Sequence, residues 1–504
     1  MVVPLIAGLV PERDGGSAAE TPAETPAVTV GEPGAAAAPR PGPVGAQRAD
    51  RIVSTLLTWT LLGTALLAAG VIATAQELAQ LLLAADDPGS GGVVLGATLL
   101  RIFAVQLPLY GISVVLAAYL QARKRFLWPA MMPLLSSVVV MVSYRVYAHL
   151  VPPVATTTTI DSTAVAWLGW GTTAGVAVMT VPVAIAALRA GLRLRPALRM
   201  PPGDGRRALA LGGAGLGAVG AQQLVLALVL LLAMRAGGVG TLPVFQYAQA
   251  LYLLPFAVLV VPLVTSVFPH LSEMRLVGDL SGFGKVAAAS VRTVLVVSVL
   301  GAAALIAGGP ALEQFFRLID RSGAAGVGSA TAALALGLVG FAVTTQCTRV
   351  LSAALRAKDA LLVGSVGWLL AAALILIVVL SSPQRSAAEA ATVFGAAIAL
   401  GMAVSGLVGL ARIADIVEHG GHLPQLRRTA LLALLALPVG AVPGLLLGKW
   451  LVTTATGEIG AVAAGIACGL VAALLAGAVM TGADPELTGR VLRRRRRDPE
   501  RTAP

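Results

Sequence analysis

The residues of this chain that could do chemistry are polar side chains set inside long apolar stretches. Gln222 and Gln223 lie in the middle of one such stretch. Gln246 and Gln249 lie three apart in the next, and so share one helical face. Arg101 and Gln106 sit together in an earlier stretch, Gln346 and Arg349 in a later one. Burying an amide or a guanidinium in hydrocarbon is costly, so these groups normally face a partner or a wet cavity. Gln222, Gln223, Gln246, Gln249, Arg101 and Arg349 are therefore the candidate lining of a substrate cavity, suited to a polar or anionic headgroup. The competing reading is structural: glutamines tie helices together, and arginines snorkel to the nearest interface. Arg101 and Arg349 lie near opposite ends of their stretches and need not meet. Arg145 and Arg235, at stretch ends, read as anchors.

No enzyme constellation accompanies them. The chain has no phosphate-binding glycine loop with a lysine, no metal-spaced His/Cys set and no nucleophile elbow. No catalytic residue, metal ligand or cofactor is expected. His149, His270, His419 and His422 fall at stretch ends or in loops, and Asp86-Asp87 reads as a solvated pair. Cys347 and Cys468 both lie in apolar stretches, which argues against a structural disulfide.

The apolar runs must hold these side chains. Hydrophobic residues make up 57% of the 504-residue chain and charged residues 12%, with a mean hydropathy of +0.86. A soluble domain carries about twice that charged share. Twelve apolar spans follow at 51–83, 94–122, 127–150, 162–189, 206–236, 241–270, 282–308, 329–356, 360–381, 387–413, 427–451 and 457–481. A helix needs about 20 apolar residues to cross the hydrocarbon layer. The fold class is therefore all-α and polytopic, with about 12 transmembrane helices. Pro108, Pro255, Pro262 and Pro438 interrupt spans, each freeing a backbone carbonyl and permitting a bend. Gly213 and Gly217 have the spacing for close helix approach.

Residues 12–50, rich in Pro, Ala, Gly, Glu and Thr, cannot bury enough surface to offset their ordering entropy. They read as a disordered cytoplasmic linker. The segments between spans form two alternating sets, and the set that includes both chain ends holds 29 of the 36 Lys and Arg residues. The positive-inside rule then places both termini in the cytoplasm. The run Arg493 to Arg497 reads as a topology anchor on anionic lipid. The net charge of +12 is thereby explained, and no nucleic-acid partner is expected.

An internal repeat organises the spans. Residues Val2 to Pro11 nearly copy Val260 to Pro269, which closes a full-length span. Leu116 to Arg123 parallels Leu351 to Lys358, six spans away. The expected organisation is a transmembrane-helix remnant at 1–11, the linker at 12–50 and a first lobe of four helices at 51–190. A second lobe of six helices at 206–418, two C-terminal helices at 425–482 and a basic cytoplasmic tail at 483–504 follow. On this reading the lobes are pseudo-symmetric and the first lacks about two N-terminal helices. Parallel two-lobe repeats enclosing a cleft are a common transporter plan.

The stretch Val244 to Pro255, followed by Phe268-Pro269-His270-Leu271-Ser272-Glu273, resembles the hallmark of the MurJ (MviN) family of lipid II flippases. So do Leu120-Gln121-Ala122-Arg123-Lys124-Arg125-Phe126 and Pro129-Ala130-Met131-Met132-Pro133. The resemblance implies the two-lobed fold of the MOP exporter superfamily in a bacterial cytoplasmic membrane. It also implies a central cavity with a cationic site for a pyrophosphate headgroup, and a groove for the polyprenyl tail from spans eleven and twelve. The activity it implies is flipping of a polyprenyl-pyrophosphate-linked glycan precursor by alternating access. The implied partner is that precursor; the charge pattern adds anionic lipid at the basic loops and tail, and the scaffold reading below adds cell-wall synthesis proteins. The sequence also departs from the family. The cavity arginines usual on the family's first two helices have no counterpart here, Ala250 stands where an arginine is often found, and Ser136-Ser137 where paired amides are usual. Two other readings stay open at this point: a related polysaccharide-lipid or drug exporter, and a non-transporting membrane scaffold for cell-wall synthesis.

Overall fold

Long runs of Leu, Val, Ala and Gly with few turn residues leave the backbone one way to satisfy its own hydrogen bonds in lipid, the α-helix. In the computed structural model this holds throughout the described residues, which are 43–123, 125–152, 156–157, 159–198, 204–320, 325–381 and 385–482. The expected remnant at 1–11, the linker through 42, and the tail with Arg493 to Arg497 lie outside them. So do the side-chain surroundings of 204–218, and with them the Gly213/Gly217 pair.

The helices are α1 (Pro43–Ala73), α2 (Ala75–Leu83), α3 (Gly91–Ala104), α4 (Gln106–Ala122), α5 (Leu127–Leu150), α6 (Ser162–Arg189), α7 (Asp204–Gly237) and α8 (Thr241–Pro255). A π-helical turn (Phe256–Val260) leads into α9 (Val261–Val277). Then come α10 (Leu280–Ile319), α11 (Val327–Leu336), α12 (Leu338–Ala353), α13 (Ala357–Ser381), α14 (Ala387–His419), α15 (Leu423–Thr454) and α16 (Gly457–Gly482). No strand occurs among the described residues. Among the described residues eleven helical segments are long and apolar enough to cross a membrane, and α11 with α12, bent by 42°, make a twelfth if that pair is one span. Residues 43–50, within the segment assigned to the linker, are helical and extend α1 upstream.

The chain divides into two compact units, Met1–Gly212 and Gly213–Pro504. In the first, α4 packs on α1 and α6, and α5 lies along α6. Its core gathers Ile52, Val53, Leu116, Tyr119, Leu120 and Val183. The Ser143 hydroxyl on α5 donates to the Trp167 carbonyl on α6 at 2.6 Å. Gln106 ties α4 to α6 by donating to the Thr173 hydroxyl at 3.0 Å.

In the second unit the 40-residue α10 is the hub. It packs on α15 and α16, which pack on each other, and on α11 and α12. The two C-terminal helices thus belong to the same unit as the helices before them. Helices α13 and α14 approach at Gly367 and Gly401, where a Cβ on either would collide with the other's carbonyl oxygen. The N-terminus of α11 is capped from a distance: the Glu313 carboxylate accepts from the N–H groups of Gly326 and Gly328, both at 2.8 Å. Gly326 there has φ +100°, a left-handed conformation that glycine adopts at little cost.

The two spans that end in the matched segments are both interrupted, one at Val105 before Pro108, the other at Gly337. Pro255 is followed at once by the π-helical turn, as expected where a proline removes a backbone donor.

Candidate functional site

Helix α12 is built with two faces. Its packed face, Leu338, Ala342, Val343, Gln346, Cys347, Val350 and Leu351, is buried. Its other face runs Phe341, Thr344, Thr345, Thr348, Arg349, Ser352, at the three- and four-residue spacing of a single helical stripe. That stripe lines a cavity of about 660 Å³ in the second unit, together with Val219 and Gln222 of α7, Phe256 of the π-helical turn, and Leu361 and Trp368 of α13. Leu355, in the turn between α12 and α13, also lines it and has a left-handed backbone with φ 63°.

The cavity has a polar and an aromatic wall. Thr345, Thr348 and Ser352 donate their hydroxyl hydrogens to the helix's own carbonyls, those of Phe341, Thr345 and Thr348, at 2.6–2.8 Å. Their oxygen lone pairs remain as acceptors. Thr344, 5% exposed, has a buried hydroxyl with no hydrogen-bond partner among the described residues. Arg349 is exposed, and its guanidinium stands 5.7 Å from the Phe268 ring centroid, within reach of a cation–π attraction. At one end of the same stripe, the Phe341 ring lies 4.4 Å from Phe256 and 6.0 Å, edge-on, from Trp368. One fixed cation, one amide and a ladder of hydroxyls against aromatic rings can hold a ligand that is anionic, hydroxyl-rich and partly apolar.

Of the six candidates from sequence, Gln222 and Arg349 come together in this lining. Gln222 is half-buried. Gln223 and Gln246 are exposed and Gln249 is half-buried, all outside that lining. Arg101 is exposed on α3, in the first unit. Gln346, three residues from Arg349, turns the other way: it is 1% exposed and donates to Ser290 of α10 at 2.7 Å. The hydroxyl stripe was missed. Its signal is present in the sequence as Thr344-Thr345, Thr348 and Ser352 around Arg349, but each hydroxyl alone is an ordinary helix residue.

A second concavity in this unit, about 540 Å³, is almost wholly apolar. It lies between the Pro255 bend (Leu254, Val258), α10 (Leu305, Leu312) and α16 (Ile466, Leu470). Of the two C-terminal helices, α16 contributes to this lining.

A family model described as lipid II flippase MurJ matches residues 45–456. Among solved structures, the chain is similar to a lipid II flippase MurJ in an inward closed conformation: 15% identity over 86% of this chain and 84% of that one, with a TM-score of 0.64. It is also similar to an inward-facing multidrug resistance MATE family transporter of the MOP superfamily, at 13% identity over 74% of this chain and 83% of that one, TM-score 0.60. At these identities the structural likenesses speak for the fold. No individually curated protein matches the chain by sequence.

Proposed function

This chain belongs to the lipid II flippase MurJ family, and on that premise we propose that it carries lipid II across the membrane, with the α12 cavity holding part of the headgroup. The observation that carries the placement is the juxtaposition of Gln222, the hydroxyl stripe and Arg349 with the Phe256, Phe341 and Trp368 rings. The guanidinium fork matches phosphate oxygens and binds them in a charge-assisted way. Hydroxyl oxygens accept from sugar hydroxyls, and aromatic rings pack on the apolar faces of sugars. The apolar groove beside α16 suits a polyprenyl chain, which gains about 0.8 kcal/mol per buried CH₂. Concentration of 29 of the 36 basic residues in one set of loops and ends supports cytoplasmic termini. The likeness to a MATE transporter supports the shared fold, not a drug substrate.

Complementation tests the reading. The chain, inserted in the membrane of a bacterium depleted of its lipid II flippase, is expected to restore growth; a well-inserted product that gives no rescue overturns it. In a vesicle assay of lipid II transfer, Arg349→Gln should lower the rate about tenfold, the scale of one charge-assisted hydrogen bond. Arg349→Lys should fall between, because it keeps the charge and loses the fork.

A further inference from the structure

A small pocket shares no lining residue with either of these concavities. It has a volume of about 170 Å³ and is lined by Arg275, Leu280, Phe283, Ala354, Arg356, Asp415, Ile416 and His419. Its residues come from the α9–α10 corner, the α12–α13 turn and the end of α14. These are the ends of candidate spans: Arg275 closes one, Leu280 opens the next, and His419 closes a third. The pocket therefore sits at the depth where phospholipid headgroups lie, and at the end of the unit that carries the basic segments 270–292, 349–358 and 412–428.

Its polar groups are arranged for an anion. Asp415, the one carboxylate of the lining, is occupied by Arg356 through two hydrogen bonds at 3.1 and 2.5 Å, and so orients that guanidinium. Arg356 keeps donors beyond those two, since a guanidinium has five. Arg275 has no ion-pair partner among the described residues. His419 Nδ1 lies 2.6 Å from the Asp415 backbone carbonyl. A carbonyl only accepts, so Nδ1 is the donor there and Nε2 is left as an acceptor for a ligand hydroxyl. With Asp415 neutralised, Arg275 leaves the lining net positive. Leu280 brings an apolar side chain, 49% exposed, to the lining, and Val277, in the same α9–α10 corner, is 84% exposed.

We infer that this pocket binds a phosphoryl group, and that an anionic phospholipid headgroup is its source. Arg275 donates to the phosphoryl oxygens, His419 Nε2 accepts from a hydroxyl of the headgroup, Arg356 is held ready by Asp415, and Leu280 and Val277 lie along the acyl chains. The volume equals that of several waters, at about 30 Å³ each, which suits one phosphoryl group and not a glycan. The site is separate from the α12 cavity and does not depend on what that cavity carries.

The test follows thermal melting of the full chain in neutral detergent. Dioleoyl phosphatidylglycerol, dioleoyl phosphatidylcholine or inorganic phosphate is added at fixed ionic strength. Phosphatidylglycerol is expected to stabilise the protein with an apparent affinity about tenfold above phosphatidylcholine, a factor equal to about 1.4 kcal/mol. The double variant Arg275→Gln/His419→Gln should lose that preference. Arg275→Lys should keep most of it, and Arg428→Gln, a basic residue outside the pocket, should keep all of it. Stabilisation by inorganic phosphate instead of phosphatidylglycerol, lost in the same double variant, would support the phosphoryl site and assign it a soluble ligand. If the folded double variant still prefers phosphatidylglycerol as the wild type does, or if neither phosphatidylglycerol nor phosphate stabilises the wild type, the inference is overturned.

Discussion

A glutamine in an apolar span announces a cost, but not the side on which the cost is met. Gln346 and Gln222 show the two outcomes. Gln346 is tied to Ser290 by one hydrogen bond, while its side-chain oxygen has no partner among the described residues. Leucine would remove the unmet acceptor, and the Ser290 hydroxyl left behind still donates to the Ala287 carbonyl at 2.8 Å, so the two effects oppose each other and the net change is small. Gln346→Leu is therefore expected to change stability by less than about 1 kcal/mol and to leave lipid II transfer unchanged. Gln222→Leu removes an amide from the cavity lining and is expected to slow transfer about fivefold, the worth of one neutral hydrogen bond. Equal effects of the two variants on transfer would show that the amides serve only packing. The Thr345, Thr348 and Ser352 hydroxyls of α12 teach the same lesson. Each satisfies its hydrogen on its own helix, which makes it unremarkable alone and useful only as a row.

Between elements, polar contacts fix which helix ends meet. Arg356 and Asp359 flank the start of α13, and Arg412 and Asp415 lie at the same spacing on α14. They pair crosswise, Arg356 with Asp415 and Arg412 with Asp359, the latter at 2.7 Å. The Asp359–Arg412 pair is partly exposed, with 28% and 48% of the side chains accessible. Such pairs contribute about 0.2–1 kcal/mol each. Asp359→Arg should lower the melting temperature, and the exchange Asp359→Arg/Arg412→Asp should recover part of the loss. Recovery stays incomplete because Asp359, in the first turn of α13, also meets the positive end of the helix dipole. A double-mutant cycle in melting temperature checks this; zero coupling would mean the pair is incidental. The long-range cap of α11 by Glu313 is a link of the same kind between elements.

At the scale of the molecule, close backbone packing does what hydrophobic burial does in water. Lipid is as apolar as leucine, so helices gain by fitting together through small residues rather than by leaving the solvent. Gly367 and Gly401 bring α13 and α14 into backbone contact. Gly401→Leu must push those helices apart, and a destabilisation of about 3 kcal/mol or failure to accumulate is expected. Gly63→Leu, where no atom lies within 4 Å of a new Cβ, should be tolerated. Melting of the two purified variants separates the outcomes.

The class of the fold and the order of its spans were legible from the sequence. Crossing hydrocarbon requires a certain number of consecutive apolar residues with their backbone bonds made internally, and both requirements are local along the chain. The span at 127–150 and the helix Leu127–Leu150 coincide for that reason. The hallmark at Val244 to Pro255 carried the family for a similar reason, being one unbroken segment. Facing was not legible. In a helix apolar on every side the 3.6-residue alternation of polar and apolar faces is lost, so nothing local tells Gln346 to turn inward and Arg349 outward. Contacts with helices distant in sequence decide that: Ser290 of α10 takes one side of α12, and Gln222, Phe256 and Trp368 lie across the other.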